Sequence, residues 1–395
     1  MDRRKFLKYS ALSSVGSAFV PNFLFGLNEK LEGSNLRKPK LVVIQLTGGN
    51  DGLNTVIPFR NDQYYRSRPT VAIPSNDIIR LDDELGLNPK MEKFSRLFKE
   101  GYVSIINSVG YPNQSRSHFA SMDIWHSGAD VKKQSKTGWI GNYLDVLDKK
   151  SHHALEINKQ LSGSLKGKNI SGMAVQNVGR IQRILHEHDN LLHRSNQFPA
   201  GEDNNSFLYQ SLIDINQSAD YIKEAHTIKT DNVDFPKTKI GEKLSTVSQL
   251  IRSGIDTEIY YLSLRGFDSH VNQRKSHDQL LDRYSSAIYH FVESLKKSGH
   301  FKDTLILTFS EFGRRVSENG SKGTDHGKGN SVFIIGENLK QPGIFNDYDD
   351  LKRLDNGDIP FKVDFKNIYS DIITEWFEES TKGIISSRFK SLEII

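Results

Sequence analysis

Strand-sized apolar runs that alternate with amphipathic helical patterns predict an α/β fold, with a mainly parallel sheet and helices on both faces. Residues 41–46 (LVVIQL) and 304–309 (TLILTF) are nearly continuous apolar runs, as expected of strands buried on both faces. Between them, in residues 276–297, Leu280, Leu281, Tyr284, Ile288, Phe291 and Leu295 fall on one stripe of helical period. Composition agrees. Hydrophobic residues make up 36% and charged residues 26% of 395 positions, enough apolar material for a core. No apolar run approaches the ~20 residues that cross a bilayer.

Taken in order, the first strand breaks into Thr47-Gly48-Gly49-Asn50-Asp51-Gly52, a turn-rich loop. A helix follows with both ends marked: Asn88 as N-cap, Pro89 at its first position and Gly101 just past its last. Residues 102–106 form a second strand. The stretch 151–234 is polar, rich in Asn, Ser and His, and is expected to be an insertion or cap within a single domain spanning 39–395. The alternation resumes with strands at 258–264, 304–309 and 332–335 and a closing helix at 364–377. Trp125, Trp139 and Trp376 are expected in the core.

The net charge of +5 owes +3 to the first thirty residues, where Arg3, Arg4, Lys5, Lys8 and Lys30 face Asp2 and Glu29, leaving +2 (5 − 3) for the rest. No basic arm or helix follows, so nucleic acid is not an expected partner. The chain has no cysteine, which excludes disulfides and thiolate metal sites; any metal must rest on imidazole and carboxylate. Asp2-Arg3-Arg4-Lys5-Phe6-Leu7-Lys8, followed by a mildly apolar stretch to Phe25, is similar to a twin-arginine signal, assigned to residues 1–30. That resemblance implies export through the twin-arginine translocase, a periplasmic or extracellular location, and no transmembrane helix in the mature chain.

In open α/β sheets ligands bind beyond the carboxyl ends of the strands, so the polar residues after each apolar run carry the functional expectation. They are Asn50-Asp51; Ser115-Arg116-Ser117-His118; Asp268-Ser269-His270, with His277 further on; Ser310-Glu311-Phe312-Gly313-Arg314; and Asp325-His326. Asp51, Asp268, His270, Glu311 and His326 are the expected ligands of one or two divalent ions (zinc, calcium, manganese or magnesium). Two such ions can clamp the attacking and leaving oxygens of a displacement at phosphorus or sulfur. Ser117 is the expected nucleophile, with Ser115 competing, and Arg116 or Arg314 the expected grip on non-bridging oxygens. Taken singly, Asp51 in such a loop is more often a turn residue than a ligand, Ser117 is usually a helix cap, His118 also reads as a loop hydrogen-bonder, and Glu311 with Arg314 as an ordinary ion pair.

Leu46-Thr-Gly-Gly-Asn-Asp-Gly-Leu-Asn54, Arg116-Ser-His-Phe119 with Met122-Asp-Ile-Trp125, Gly138-Trp-Ile-Gly141, Gly266-Phe-Asp-Ser-His270, Ser310-Glu-Phe-Gly-Arg314 and Gly323-Thr-Asp-His-Gly327 resemble a bacterial family of unknown function (domain of unknown function, family number 1501). The resemblance implies twin-arginine export and a fold like that of the alkaline phosphatase superfamily, which includes sulfatases, phosphodiesterases and phosphomutases. It implies that Asp51 binds one metal, that Asp268 and His270 (or His277) bind another, and that His326 is the final ligand. The chain departs from the pattern at Glu311-Phe312, where an Asp-His pair is usual; Phe312 cannot ligate, which weighs against a second ion.

The expected function is therefore an exported metal-dependent hydrolase of phosphate or sulfate esters, acting on a small-molecule or glycan ester. The rival expectations are a non-catalytic surface or scaffold protein of the same fold, favoured by Phe312, and a carbohydrate-binding protein, suggested by Phe198, Phe207, Tyr209 and Tyr221.

Overall fold

Side chains of a strand alternate between the two faces of its sheet, and in Lys40–Thr47 (β1) both faces are apolar and buried. Val42, Ile44 and Leu46 enter one core cluster, Leu41 and Val43 another. That is why the run reads as unbroken hydrophobicity and why it lies in mid-sheet. The computed structural model describes residues 38–131, 135–175, 233–348, 351–386 and 389–395. The twin-arginine segment, most of the polar stretch 151–234, and the aromatics Phe198, Phe207, Tyr209 and Tyr221 lie outside the described residues.

The strands that follow are Val56–Pro58 (β2), Ile79–Arg80 (β3), Leu85–Leu87 (β4), Val103–Gly110 (β5), Ala154–Glu156 (β6) and Met173–Ala174 (β7). After them come Ile259–Arg265 (β8), Thr304–Phe309 (β9), Asn330–Ile335 (β10), Gly343–Asn346 (β11) and Val363–Asp364 (β12). Among the described residues, nine of them form a sheet in the order β11-β5-β10-β9-β1-β8-β6-β7, with β12 paired to β5; β2, β4 and β3 form a separate antiparallel sheet. β1 pairs in parallel with both β8 and β9. Among the described strands of the main sheet, β10 alone runs antiparallel, between β9 and β5. The expected α/β class with a mainly parallel sheet is present. Because β10 opposes both neighbours, β5 runs the same way as β9, β1 and β8, and the carboxyl ends of these four strands share one edge.

The helices are Asp62–Ser67 (α1), Glu92–Lys99 (α2), His118–Ser127 (α3), Trp139–Val146 (α4), Lys239–Arg252 (α5), Gln273–Lys297 (α6) and Phe365–Asp371 (α7), the last continued by a π-helical turn, Ile372–Trp376. α5 and α6 lie over one face of the sheet: Leu281, Tyr284, Ile288, Phe291 and Leu295 pack with Leu244, Val247 and Val42. Trp125, Trp139, Tyr143, Ile368 and Tyr369 cover the other face with Leu41 and Val43. All three tryptophans are buried, as expected. Each such side chain contributes roughly 1.5–3 kcal/mol when fully withdrawn from water, so the two apolar layers hold the strand ends in register.

Several boundaries differ from expectation: β5 runs on to Gly110, β10 begins at Asn330, and the helix expected from Pro89 opens with a 3-10 turn before α2 starts at Glu92. α6 starts at Gln273, three residues early, after Asn272 in a left-handed conformation (φ 46°). Within the expected insertion, residues 154–156 and 173–174 join the main sheet, β6 pairing in parallel with β8. Strands of two or three residues are too short to show an apolar period in a polar stretch. No helix of the described residues is long and apolar enough to cross a membrane.

Candidate metal centre

The loop after β8 places Asp268 where three histidines from three segments can reach it. His326 Nε2 lies 3.0 Å from Asp268 Oδ1, and His270 Nε2 lies 3.0 Å from the same oxygen. His118 Nε2, at the start of α3, lies 3.3 Å from Oδ2. His270 Nε2 and His326 Nε2 are themselves 3.0 Å apart. Three imidazoles therefore turn the same nitrogen toward one carboxylate.

The opposite nitrogens explain why. His118 Nδ1 meets Glu311 Oε1 at 3.0 Å, His270 Nδ1 meets Asp325 Oδ1 at 3.2 Å, and His326 Nδ1 meets the Arg116 carbonyl at 2.9 Å. A carboxylate or carbonyl oxygen only accepts, so each neutral ring carries its proton on Nδ1 and presents a bare lone pair at Nε2. Two lone pairs 3.0 Å apart repel unless a cation or proton lies between them. His118 Nε2 is buried and has no hydrogen-bond partner. Imidazoles anchored at one nitrogen by an oxygen acceptor and open at the other are the arrangement that metal-ligating histidines adopt. His118, Asp268 and His326 have donor atoms all within 4.8 Å of one another. The residues present fit a divalent ion.

The surroundings hold this set rigid. Glu311, fully buried, accepts from the Gly48 backbone N–H at 2.9 Å as well as from His118. Its hydrogen bond raises the His118 pKa above the ordinary histidine value, against the effect of burial. Desolvation would raise the Asp268 pKa, but a hydrogen bond from His326, available when that ring is protonated at Nε2 as well, and the Arg314 guanidinium hold it well below the usual carboxylate range. The Phe312 ring packs against His118 and His326, with centroids 4.9 and 4.6 Å away, and fixes their planes. Gly48 has φ 123°, and a Cβ there would meet the Asp268 backbone nitrogen at 2.3 Å; only glycine lets the β1 and β8 loops touch.

Arg314, a fully buried residue of the loop after β9, ties the loops together. Its Nε donates to Gly49 O (2.7 Å), Nη1 to Thr324 O (2.8 Å), and Nη2 to Gly48 O, Phe267 O (2.8 Å) and Asp268 Oδ1 (3.0 Å). These bonds commit the guanidinium to protein carbonyls and to Asp268, so the expected grip on a substrate oxygen gives way to a positioning role. Arg116 is likewise engaged: its guanidinium binds the buried Asp358 (2.9 Å from Nε), and its contribution to the centre is the carbonyl that holds His326.

Of the five expected ligands, Asp268, His270 and His326 come together, Glu311 stands behind His118, and Asp51 does not join the donor group. Asp51 is buried, with Oδ2 accepting from Arg68 Nη1 at 2.7 Å and from Gln273 Nε2. Burial raises its pKa, but Arg68, His277 and Gln273 bring it below the ordinary aspartate value. A carboxylate already neutralised by a buried guanidinium is a poor ligand for a second cation. His277 is fully buried against Asn50 Oδ1 (3.0 Å), so it is His270, not His277, that reaches Asp268. Ser117 is the exposed N-cap of α3, without a capping bond of its own; it lies between Arg116, which holds His326, and His118. Its backbone N–H donates to Ser115 Oγ at 3.1 Å.

His118, which joins this donor group, is not among the ligands expected from the sequence. The available signal was its place directly after Arg116-Ser117 beyond a strand, but a histidine there reads equally as a loop hydrogen-bonder. Glu311→Gln tests its support: losing the charge on the acceptor of His118 Nδ1 is expected to weaken divalent-ion affinity by about 10–100-fold, read by competition with a chelator, while the melting temperature changes little.

A cleft of about 480 Å³ opens beside His118 and Asp268 and runs between α3 and the ends of β1, β8 and β6.

The chain belongs to the family described as "Protein of unknown function (DUF1501)", whose model matches residues 104–358, well over half of it. No curated protein matches the sequence. The chain is similar to the lipoteichoic acid synthase LtaP from Listeria monocytogenes (6% identity, 88% of this chain and 74% of that one, TM-score 0.41). It is also similar to the PsFucS1 sulfatase from Pseudoalteromonas sp. (14%, 89% and 70%, TM-score 0.37). A third likeness is to a protein in the alkaline phosphatase superfamily from Vibrio parahaemolyticus (13%, 88% and 72%, TM-score 0.33). Likenesses at these scores transfer no chemistry.

Proposed function

We propose that this DUF1501 protein is an exported hydrolase of phosphate or sulfate esters that works with one divalent ion, held by His118, Asp268, His270 and His326. The observation that carries the reading is the set of three Nδ1-anchored imidazoles whose Nε2 atoms converge on Asp268. Three nitrogens and a carboxylate suit zinc or manganese better than magnesium or calcium, which prefer all-oxygen shells. One ion is proposed because Asp51 is paired with Arg68 and Phe312 offers no donor.

A bound ion would polarise the phosphoryl or sulfuryl oxygen as a Lewis acid. Ser117, exposed at the start of α3, is the proposed nucleophile, and the N–H groups of that helix's first turn favour the anionic group it attacks. Arg314 and Glu311 position Asp268 and His118. Export by the twin-arginine route remains part of the proposal, supported by Arg3-Arg4-Lys5-Phe6-Leu7-Lys8.

The test is elemental analysis of the purified protein together with hydrolysis of 4-nitrophenyl phosphate and sulfate. About one divalent ion per chain, and ester cleavage that EDTA removes and zinc or manganese restores, are expected. Absence of a retained ion, together with no cleavage on adding zinc, manganese or calcium, contradicts the reading.

A further inference from the structure

The floor of the 480 Å³ cleft is polar where the strand register would otherwise continue an apolar face. On β1, Leu41, Val43 and Gln45 share one side; the first two enter the core cluster, and Gln45 takes the third place. Val43 is registered with Tyr261, Tyr261 with Glu156, and Gln45 with Ser263. Toward the carboxyl ends of these strands the apolar rows thus give way to rows of amide, phenol, hydroxyl and carboxyl groups, all lining the cleft. The facing wall is one side of α3, where His118, Met122 and His126 recur every four residues. Eight residues of helix span about 12 Å, so the cleft runs that far from the candidate metal centre to its floor.

The hydrogen bonds of the floor are incomplete in one direction. Gln45 Oε1 accepts from Tyr261 Oη at 2.6 Å and lies 3.1 Å from His126 Nε2. Its Nε2 amide, on a residue only 3% exposed, has no partner. A buried unsatisfied donor costs about 1–3 kcal/mol, a cost that a ligand acceptor would remove. Glu156, 1% exposed, accepts from the Ser162 N–H at 2.6 Å and from Asn158 Nδ2 at 3.2 Å. Burial holds His126 neutral by pushing its pKa down to about 4. An unfilled amide donor beside a buried carboxyl and a neutral imidazole suits a group that both accepts and donates. An anion would meet Glu156, and an apolar group would leave Gln45 unsatisfied.

We infer that this cleft is a recognition subsite for the hydroxyl groups of a sugar or polyol, whose ester end lies at His118 and Asp268. Gln45 Nε2 would donate to a ligand hydroxyl that in turn donates toward Glu156. The volume falls within the ~300–1,000 Å³ of small-ligand sites. The inference rests on the ester-hydrolase reading for the position of the ester, but the subsite can be tested without it.

Two measurements separate the two ideas. In the first, kcat/KM is compared on sugar phosphates or sulfates and on the 4-nitrophenyl esters, which carry no hydroxyls, for the wild type, Gln45→Met and Glu156→Gln. Losses of about tenfold or more on the sugar esters, mainly in KM, are expected, with the aryl esters and metal content unchanged. Equal losses on both ester types, or none on the sugar esters, overturn the subsite. In the second, calorimetric titration with free monosaccharides and polyols is carried out whether or not any ester is cleaved. Binding by the wild type that Glu156→Gln abolishes supports the subsite even if the hydrolase reading fails, and no binding of any of them by the wild type overturns it. Glu156→Gln serves if Gln45→Met fails to fold.

Discussion

Asp268→Asn is expected to remove the divalent ion and to lower ester hydrolysis by a factor of about 10³ or more. The side chain keeps its shape but loses the charge on which His118, His270, His326 and Arg314 all converge. Without it, the buried Arg314 guanidinium has no counter-charge at the centre, and a dication held by the neutral imidazoles alone would be repelled by it. Several kcal/mol of transition-state stabilisation are attributed to a catalytic ion, and each 1.36 kcal/mol is a factor of ten in rate. Elemental analysis and single-substrate kinetics of the variant provide the check. Retention of a full equivalent of metal with near-normal turnover would remove Asp268 from the centre.

Arg68→Met carries the largest expected effect on stability. Arg68 and Asp51 are both essentially inaccessible, 2.7 Å apart, and Arg68 also donates to Val316 O, Asn54 Oδ1 and Arg315 O. Removing one partner of a buried pair leaves an uncompensated charge and costs about 3–5 kcal/mol. Arg68→Met with Asp51→Asn is expected to recover part of that loss, because the second change removes the stranded carboxylate. Urea denaturation of the single and double variants reads both numbers. The pH dependence follows from the lowered Asp51 pKa: its contribution is present above the ordinary aspartate value of 3.8 and is lost as pH falls through the lower folded value. A double variant no more stable than the single would contradict this account of the pair.

What the sequence made legible follows the burial of each element. β1 and β9 are readable because both faces of a central strand are apolar, and α6 because one stripe meets the sheet. β6 and β7 are not, since two or three residues at the sheet edge beyond β8 need no hydrophobic run of their own. The same division holds at the centre. Asp268 and His270 stand out as an acid and a histidine directly after a strand, and His326 follows from its Gly-Thr-Asp-His-Gly setting. His118 depends on β10 running antiparallel between β5 and β9, which brings the end of β5 to the same edge; spacing along the chain does not carry that fact. Asp51 reads as a ligand for a similar reason. Its partner, Arg68, is the residue that closes the short helix α1, and nothing in a Gly-Gly-Asn-Asp-Gly turn announces a guanidinium seventeen positions away. Arg314 reads as a substrate grip in sequence and is a tie between loops in the structure, because all but one of its acceptors, Asp268, are backbone carbonyls, which have no signature in side-chain pattern.

A crystal of the zinc-loaded protein, measured on either side of the zinc absorption edge, tests the central claim most directly. The anomalous difference map is expected to show one strong peak about 2.0–2.1 Å from the Nε2 atoms of the ligating histidines and a similar distance from an Asp268 oxygen. A map with no peak there, or with its strongest peak beside Asp51, would contradict it.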